Sequence, residues 1–287
     1  MISAPKRRTG FLERPDCKIF YEITGSGPAI VFAHGLGGNH MSWWQQVGHF
    51  SKTHTCVAFA HRGFAPSSPL PGGPDPSAYA DDLAALVAHL GLTDIRLIAQ
   101  SMGGWTSVEY ALRRPPELKA LVLAATIGTI DPTRIREPEL GRYTAWLETS
   151  RKTLGEYVAN GIHPAGGARM LAEQPAMHLL YRQIDDMNAA IDKEALRTRL
   201  MHGRTRAPEE LAGVDCPILF IANDEDAVIP PMAPDAIAAV VANARVAHIP
   251  DAGHSGYFER PAAFNRNGGL RRKKHCARCN KGSSMLF

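Results

Sequence analysis

Short apolar runs alternate along this chain with segments of helical periodicity, and that alternation limits the fold more than any other feature. Ala29-Ile30-Val31-Phe32-Ala33 is apolar throughout. Thr55–Phe59, Ile95–Ala99, Ala120–Leu123, Pro217–Ile221 and Arg245–Ile249 repeat the pattern at lower purity. Runs of this kind suit strands buried on both faces. Between them, Tyr79, Leu83, Leu86, Val87 and Leu90 recur at three- and four-residue spacing, as on one face of a helix. Asp75 or Ser77 can cap that helix and Gly91 can close it. Met102 to Leu112 reads as another helix, starting directly after a strand. A mainly parallel sheet covered by helices satisfies both patterns. An N-terminal hairpin around Phe11–Glu13 and Lys18–Ile23 precedes it and ends at Gly25-Ser26-Gly27-Pro28.

The strand pattern stops from Asp131 to about Arg206. Tyr143, Trp146 and Leu147 share one helix face there, and Met177, Leu180, Tyr181, Ile184 and Met187 share another. An all-helical insertion between two strands is predicted. No internal repeat is visible, and no stretch approaches the roughly 18 apolar residues of a membrane span. The N-terminus has charge without an apolar run behind it, so it does not read as a secretory signal, and a cytoplasmic location is expected.

The formal net charge of +4 is misleading until it is located. Seven basic residues and no acidic one follow Asn265: Arg266, Arg271, Arg272, Lys273, Lys274, Arg278 and Lys281. Without them the chain carries −3, which gives no electrostatic reason to expect nucleic acid as a partner. Cys17, Cys56 and Cys216 lie in strand-like apolar runs and read as buried free thiols. Cys276 and Cys279, with His275 beside them, supply three possible ligands and no fourth, so a metal site is not expected.

Three motifs carry chemistry. Ala99-Gln100-Ser101-Met102-Gly103-Gly104 sits between a strand and a helix. There a serine on a tight turn can project its hydroxyl from the sheet edge, provided small residues let the neighbouring backbone pass. His34-Gly35-Leu36-Gly37-Gly38 follows the strand Ala29–Ala33. Its glycines allow a turn that aims backbone N–H groups at a developing oxyanion, and Leu36 and Met102 are the candidate donors. His34 itself reads as a loop-organising residue. The third motif is a late pair. Asn223-Asp224-Glu225-Asp226 follows one strand and Asp251-Ala252-Gly253-His254 follows the next. A neutral histidine can take the serine proton while a carboxylate fixes its tautomer. Asp226 is the favoured acid, Asp224 and Asp131 are alternatives, and Asp251 is expected to shape the turn before His254.

Taken in order, these motifs, with His61-Arg62-Gly63-Phe64 and Gly253-His254-Ser255-Gly256-Tyr257-Phe258-Glu259-Arg260-Pro261, resemble the α/β-hydrolase superfamily with a helical cap. The resemblance spans roughly residues 10 to 264. It implies a doubly wound, mostly parallel sheet of about eight strands, a cap over the active site, and a Ser101-His254-Asp226 mechanism. The core would occupy residues 1–130 and 207–264, and the cap residues 131–206. Serine at the turn argues against epoxide-hydrolase-like and dehalogenase-like relatives, which place Asp there, and against dienelactone-hydrolase-like ones, which place Cys. Ala99 stands where the usual pattern has glycine. His61 stands where relatives often have an acid, and it reads as structural.

Relatives continue beyond Phe264 with an amphipathic helix, whereas here Gly268-Gly269 and a charge block oppose one. Residues 265–287 are therefore expected to form a disordered basic tail. The expected function is hydrolysis of a small carboxylic ester or lactone through an acyl-enzyme, with no metal or organic cofactor and neither nucleic acid nor membrane as partner. The expected assembly is a monomer or homodimer. An enol-lactonase, a carbon–carbon bond hydrolase, a perhydrolase or acyltransferase variant, and a non-catalytic ligand-binding relative remain as alternatives. Trp43, Tyr143, Trp146 and Tyr181 are the candidate substrate-binding residues, with Met170, Met177 and Met187 as further lining.

Overall fold

The computed structural model describes residues 4–268. The expected tail beyond Gly268, with His275, Cys276 and Cys279, lies outside the described residues. Eight strands form one sheet in the order β1-β2-β4-β3-β5-β6-β7-β8. They are β1 (Arg7–Glu13), β2 (Lys18–Gly25), β3 (Ala29–Ala33), β4 (Thr55–Phe59), β5 (Ile95–Gln100), β6 (Leu118–Ala124), β7 (Ile218–Asn223) and β8 (Ala244–Ile249). β1 and β2 form the N-terminal hairpin, and β2 is also antiparallel to β4. From β4 to β8 every pairing is parallel.

The period-two pleat sorts side chains to two faces. Val31, Leu97, Leu121 and Phe220 pack on one side with Leu83, Leu86 and Val108. Ile30, Phe32, Ile98 and Val122 pack on the other with Trp43, Phe258 and Phe264. This is why the strands read as unbroken apolar runs. Each such side chain, fully buried, stabilises the fold by about 1.5–3 kcal/mol.

Helices α1 (Trp44–Phe50), α2 (Tyr79–His89) and α3 (Gly103–Ala111) join the first strands. Asp75 accepts a hydrogen bond from the Ser77 N–H and so caps a short 3-10 turn that leads into α2. Between β6 and β7 run α4 (Glu139–Ala159), α5 (Gly167–Glu173), α6 (Pro175–Asp186) and α7 (Lys193–His202). An isolated parallel bridge, Ile130 to Arg206, closes this excursion at its base. The remaining helices are α8 (Ala233–Ala238), α9 (Gly256–Glu259) and α10 (Pro261–Gly268).

Helix α10 corrects the expectation that the chain loses structure at residue 265. The helix continues to Gly268, with Phe264 on its inner face fully buried. Gln46 donates to the Asn265 side chain at 3.3 Å. Tertiary contact here outweighs poor local helix propensity. Cys17, Cys56 and Cys216 are buried free thiols. Among the described residues no helix is long and apolar enough to cross a membrane.

Candidate active site

β3 lies between β4 and β5, so the connections leaving its C-terminal end and that of β5 diverge. Such a switch point opens a crevice at the carboxyl edge of a parallel sheet. The loop 34–38 and the turn at Ser101 meet there: a Cβ built on Gly35 would lie 3.1 Å from the Ser101 Cβ.

Ser101 connects β5 to α3 with φ of 48°. That left-handed conformation costs a non-glycine residue of order 1–3 kcal/mol and persists only where surroundings impose it. Its N–H donates to the Ala124 carbonyl at 3.1 Å, and its own carbonyl accepts from the Gly104 N–H at 2.8 Å. The glycines beyond it are sterically required. A Cβ on Gly103 would stand 2.2 Å from the Ala33 carbonyl oxygen, and one on Gly104 would stand 2.2 Å from Thr126 Oγ1. Ala99, in the usual glycine position, pairs with Ala33 of β3, small residue against small residue.

His34 organises the neighbouring loop, as expected. Its Nε2 accepts from the His61 N–H at 2.9 Å, so Nδ1 carries the proton and donates to the Gly35 carbonyl at 2.8 Å. Burial pushes the His34 imidazole down to about 3, which keeps it neutral. His61 is enclosed as well, with its Nε2 2.8 Å from Thr106 Oγ1. Among the described residues, the Leu36 and Met102 N–H groups have no backbone acceptor.

His254 follows β8, and Asp226 follows β7. Asp226 Oδ2 lies 2.8 Å from His254 Nδ1, and both side chains are almost wholly buried. Asp226 Oδ1 accepts from the Val228 and Ile229 N–H groups at 2.7 and 2.9 Å. A carboxylate only accepts, so Nδ1 bears the proton and the Nε2 lone pair is left available. The alternative acids are committed elsewhere. Asp224 bonds His248 at 2.7 Å, and Asp131 accepts from the Thr133 N–H and hydroxyl. Asp251, at φ 55°, shapes the turn before His254 and lies 3.4 Å from Arg169.

Several residues here escaped the sequence reading. Gln100 Nε2 and Asn223 Nδ2 both donate to the His254 carbonyl at 3.3 Å. The side chain preceding Ser101 thus ties the β5 turn to the histidine loop. Glu259 accepts the Gly253 N–H on the other side of His254. Gln100 was legible only as part of the serine turn, and Glu259 only as part of the segment after His254.

The aromatic candidates separate. Trp43 has no accessible surface and is enclosed by Phe32, Tyr257 and Phe264, so it is a core residue and not a pocket wall as expected. Its neighbour Trp44 is about half exposed. Tyr181 is buried on α6, with its ring and hydroxyl against Gly37 of the 34–38 loop. Tyr143 and Trp146 are half-buried and stack with ring centroids 6.4 Å apart on α4. Met170 is fully buried, Met177 partly so, and Met187 is exposed. Among the described residues no group of His, Cys, Asp and Glu converges to hold a metal ion.

The model of the alpha/beta hydrolase fold matches residues 28–261. The chain belongs to the alpha/beta hydrolase family. A non-heme haloperoxidase of Rhodococcus erythropolis is 29% identical over 251 residues, covering 83% of this chain and 89% of that protein. A hydrolase from Pseudomonas aeruginosa PA01 superposes with a TM-score of 0.71 at 23% identity, covering 91% and 96% of the two chains. The enol-lactonase from Burkholderia xenovorans LB400 gives 0.69 at 24% identity, covering 90% and 97%. Those two structures share this alpha/beta hydrolase's fold and, at such identities, inform the fold alone.

Proposed function

We propose that this alpha/beta hydrolase is a serine hydrolase that cleaves a small carboxylic ester or lactone, with Ser101 as nucleophile, His254 as base and Asp226 as the acid that orients it. The observation that carries the reading is the joint one of Ser101 at positive φ and a buried His254–Asp226 pair tied by Gln100 to the same turn. His254 Nε2 takes the proton as Ser101 Oγ attacks the carbonyl carbon. The oxyanion rests on the Leu36 and Met102 N–H groups, each donor being worth about 3 kcal/mol of barrier by analogy with measured oxyanion holes. The protonated imidazole gives its proton to the leaving alcohol. Water, activated by the same nitrogen, then frees the acid from the acyl-enzyme. The helices of residues 139–202 act as a cap, with Tyr181 against Gly37 on the oxyanion loop and Tyr143 and Trp146 available to the substrate.

A short p-nitrophenyl ester tests this. The wild-type protein should release p-nitrophenol, with a burst if deacylation is slow, and Ser101→Ala should lose on the order of 10⁶-fold in kcat. Unchanged turnover in that variant rules out the nucleophile.

A further inference from the structure

The turn that carries the Leu36 N–H is poorly held by its own sequence. Gly35, Gly37 and Gly38 surround Leu36, and glycine loses more conformational freedom on ordering than any other residue. The Gly38 N–H donates to the Gly35 carbonyl at 3.0 Å, which closes the turn. Closure alone does not aim it. A displacement of about 1 Å at a reacting centre costs about 10²-fold in rate, so an oxyanion donor on such a turn needs support from outside.

Among the described residues, two side chains hydrogen-bond the carbonyls of this turn. His34 Nδ1 donates to Gly35 from within the same loop. Asn188 Nδ2 donates to Gly38 at 3.2 Å from the helical excursion between β6 and β7. Asn188 lies two residues past the end of α6 and is 2% exposed. Its Nδ2 also meets the Ile184 carbonyl at 3.4 Å, and its Oδ1 accepts the Ala65 N–H at 2.9 Å. Two carbonyls at one end and an N–H at the other fix which way the amide points.

Ala65 belongs to the loop after β4. There the Phe64 N–H donates to the His61 carbonyl at 3.0 Å, and the His61 N–H donates to His34 Nε2 at 2.9 Å. These bonds form a closed circuit. It runs from Gly35 to Gly38, through Asn188 to Ala65, and back by way of Phe64, His61 and His34. Asn188 is its one member from the helical excursion; the others lie on loops that follow β3 and β4. Neighbours of Asn188 press on the same turn. A Cβ on Gly37 would lie 3.2 Å from both Tyr181 Oη and Asp185 Oδ1, just as one on Gly35 would lie 3.1 Å from the Ser101 Cβ.

We propose that Asn188 is a positioning residue for acyl transfer: by holding the Gly38 carbonyl it aims the Leu36 N–H, so that the oxyanion hole is complete only with the cap seated. This rests on the reading of Ser101 as nucleophile and Leu36 as oxyanion donor. Asn188 itself touches neither the nucleophile nor the developing charge.

Two ketones separate this role from a merely structural one. A trifluoromethyl ketone adds to the serine hydroxyl to give an anionic hemiketal, and so reads the oxyanion hole. The matching methyl ketone binds without adding, and so reads the pocket. Asn188→Leu is close in shape but has neither donor nor acceptor. With a short p-nitrophenyl ester it should lower kcat about 10- to 100-fold and leave KM unchanged, because acylation and deacylation use the same hole. The Ki of the trifluoromethyl ketone should rise by the factor that kcat/KM falls, with methyl ketone binding unchanged. Asn188→Ser offers one polar atom where Asn188 offers two, and carries the test if the Leu variant does not fold. Unchanged kcat in a folded variant, or equal loss of affinity for the two ketones, overturns the proposal. Failure of the underlying reading shows separately: if Ser101→Ala keeps wild-type turnover and the trifluoromethyl ketone does not inhibit wild type, the nucleophile assignment falls and this proposal falls with it.

Discussion

Glu259 gives the most quantitative prediction, because one buried carboxyl links the stability of the His254 loop to pH. Glu259 is 2% exposed. Its Oε1 accepts the Gly253 N–H, and its Oε2 is buried without a partner. Desolvation pushes the carboxyl from 4.5 up to about 7, against the opposing Gly253 hydrogen bond and the Arg260 charge. Arg260 is itself paired with Glu173 at 2.6 Å, and Glu225 with Arg169. The charges facing Glu259 are thus largely committed to one another. A carboxyl raised in the folded state favours the protonated form. Its contribution is complete below about pH 4.5 and is lost as pH rises through about 7. The interval between 4.5 and about 7 corresponds to about 3 kcal/mol at its limit. Glu259→Gln keeps an acceptor for Gly253 and cannot ionise. It should match wild type near pH 4.5 and exceed it by up to about 3 kcal/mol at pH 8.5, several degrees in melting temperature for a chain of this size. Urea titrations of both proteins across pH 4.5–8.5 measure this. Parallel stability curves, or a gap that widens toward acid, would show that Glu259 is not the group that titrates.

Two further predictions follow from the same geometry. Asp226→Asn should retain the Val228 and Ile229 contacts through its remaining oxygen yet offer His254 the wrong partner, lowering kcat by about 10⁴-fold, as in a comparable triad; steady-state kinetics with a matched melting temperature would check it. Trp43→Ala removes a fully enclosed indole and should destabilise the fold by about 3–5 kcal/mol. Denaturant unfolding measures that loss, and a cost below 1 kcal/mol would return Trp43 to the pocket.

What could be seen from sequence, and what could not, has a physical division. Strands buried on both faces must be apolar throughout, so β3 and β4 were readable to the residue. The Ser101, Asp226 and His254 loops were readable because turns after strands admit few side chains. Trp43 was misplaced because an aromatic side chain after a glycine loop serves core and pocket equally well, and only the approach of Tyr257 and Phe264 decides between them. Helix α10 was cut short because a contact that holds it, Gln46 to Asn265, joins residues far apart in sequence. Gln100 and Glu259 were missed for a related reason. Their significance lies in a partner across the fold.

The proposed mechanism requires His254 to make the Ser101 hydroxyl reactive at neutral pH. Treatment with a fluorophosphonate, followed by intact-mass and peptide analysis, tests this requirement. One adduct per chain on the peptide that carries Ser101, absent in Ser101→Ala and strongly slowed in His254→Ala, is the predicted result. Ester turnover without modification of Ser101, or an adduct on another residue, would contradict it.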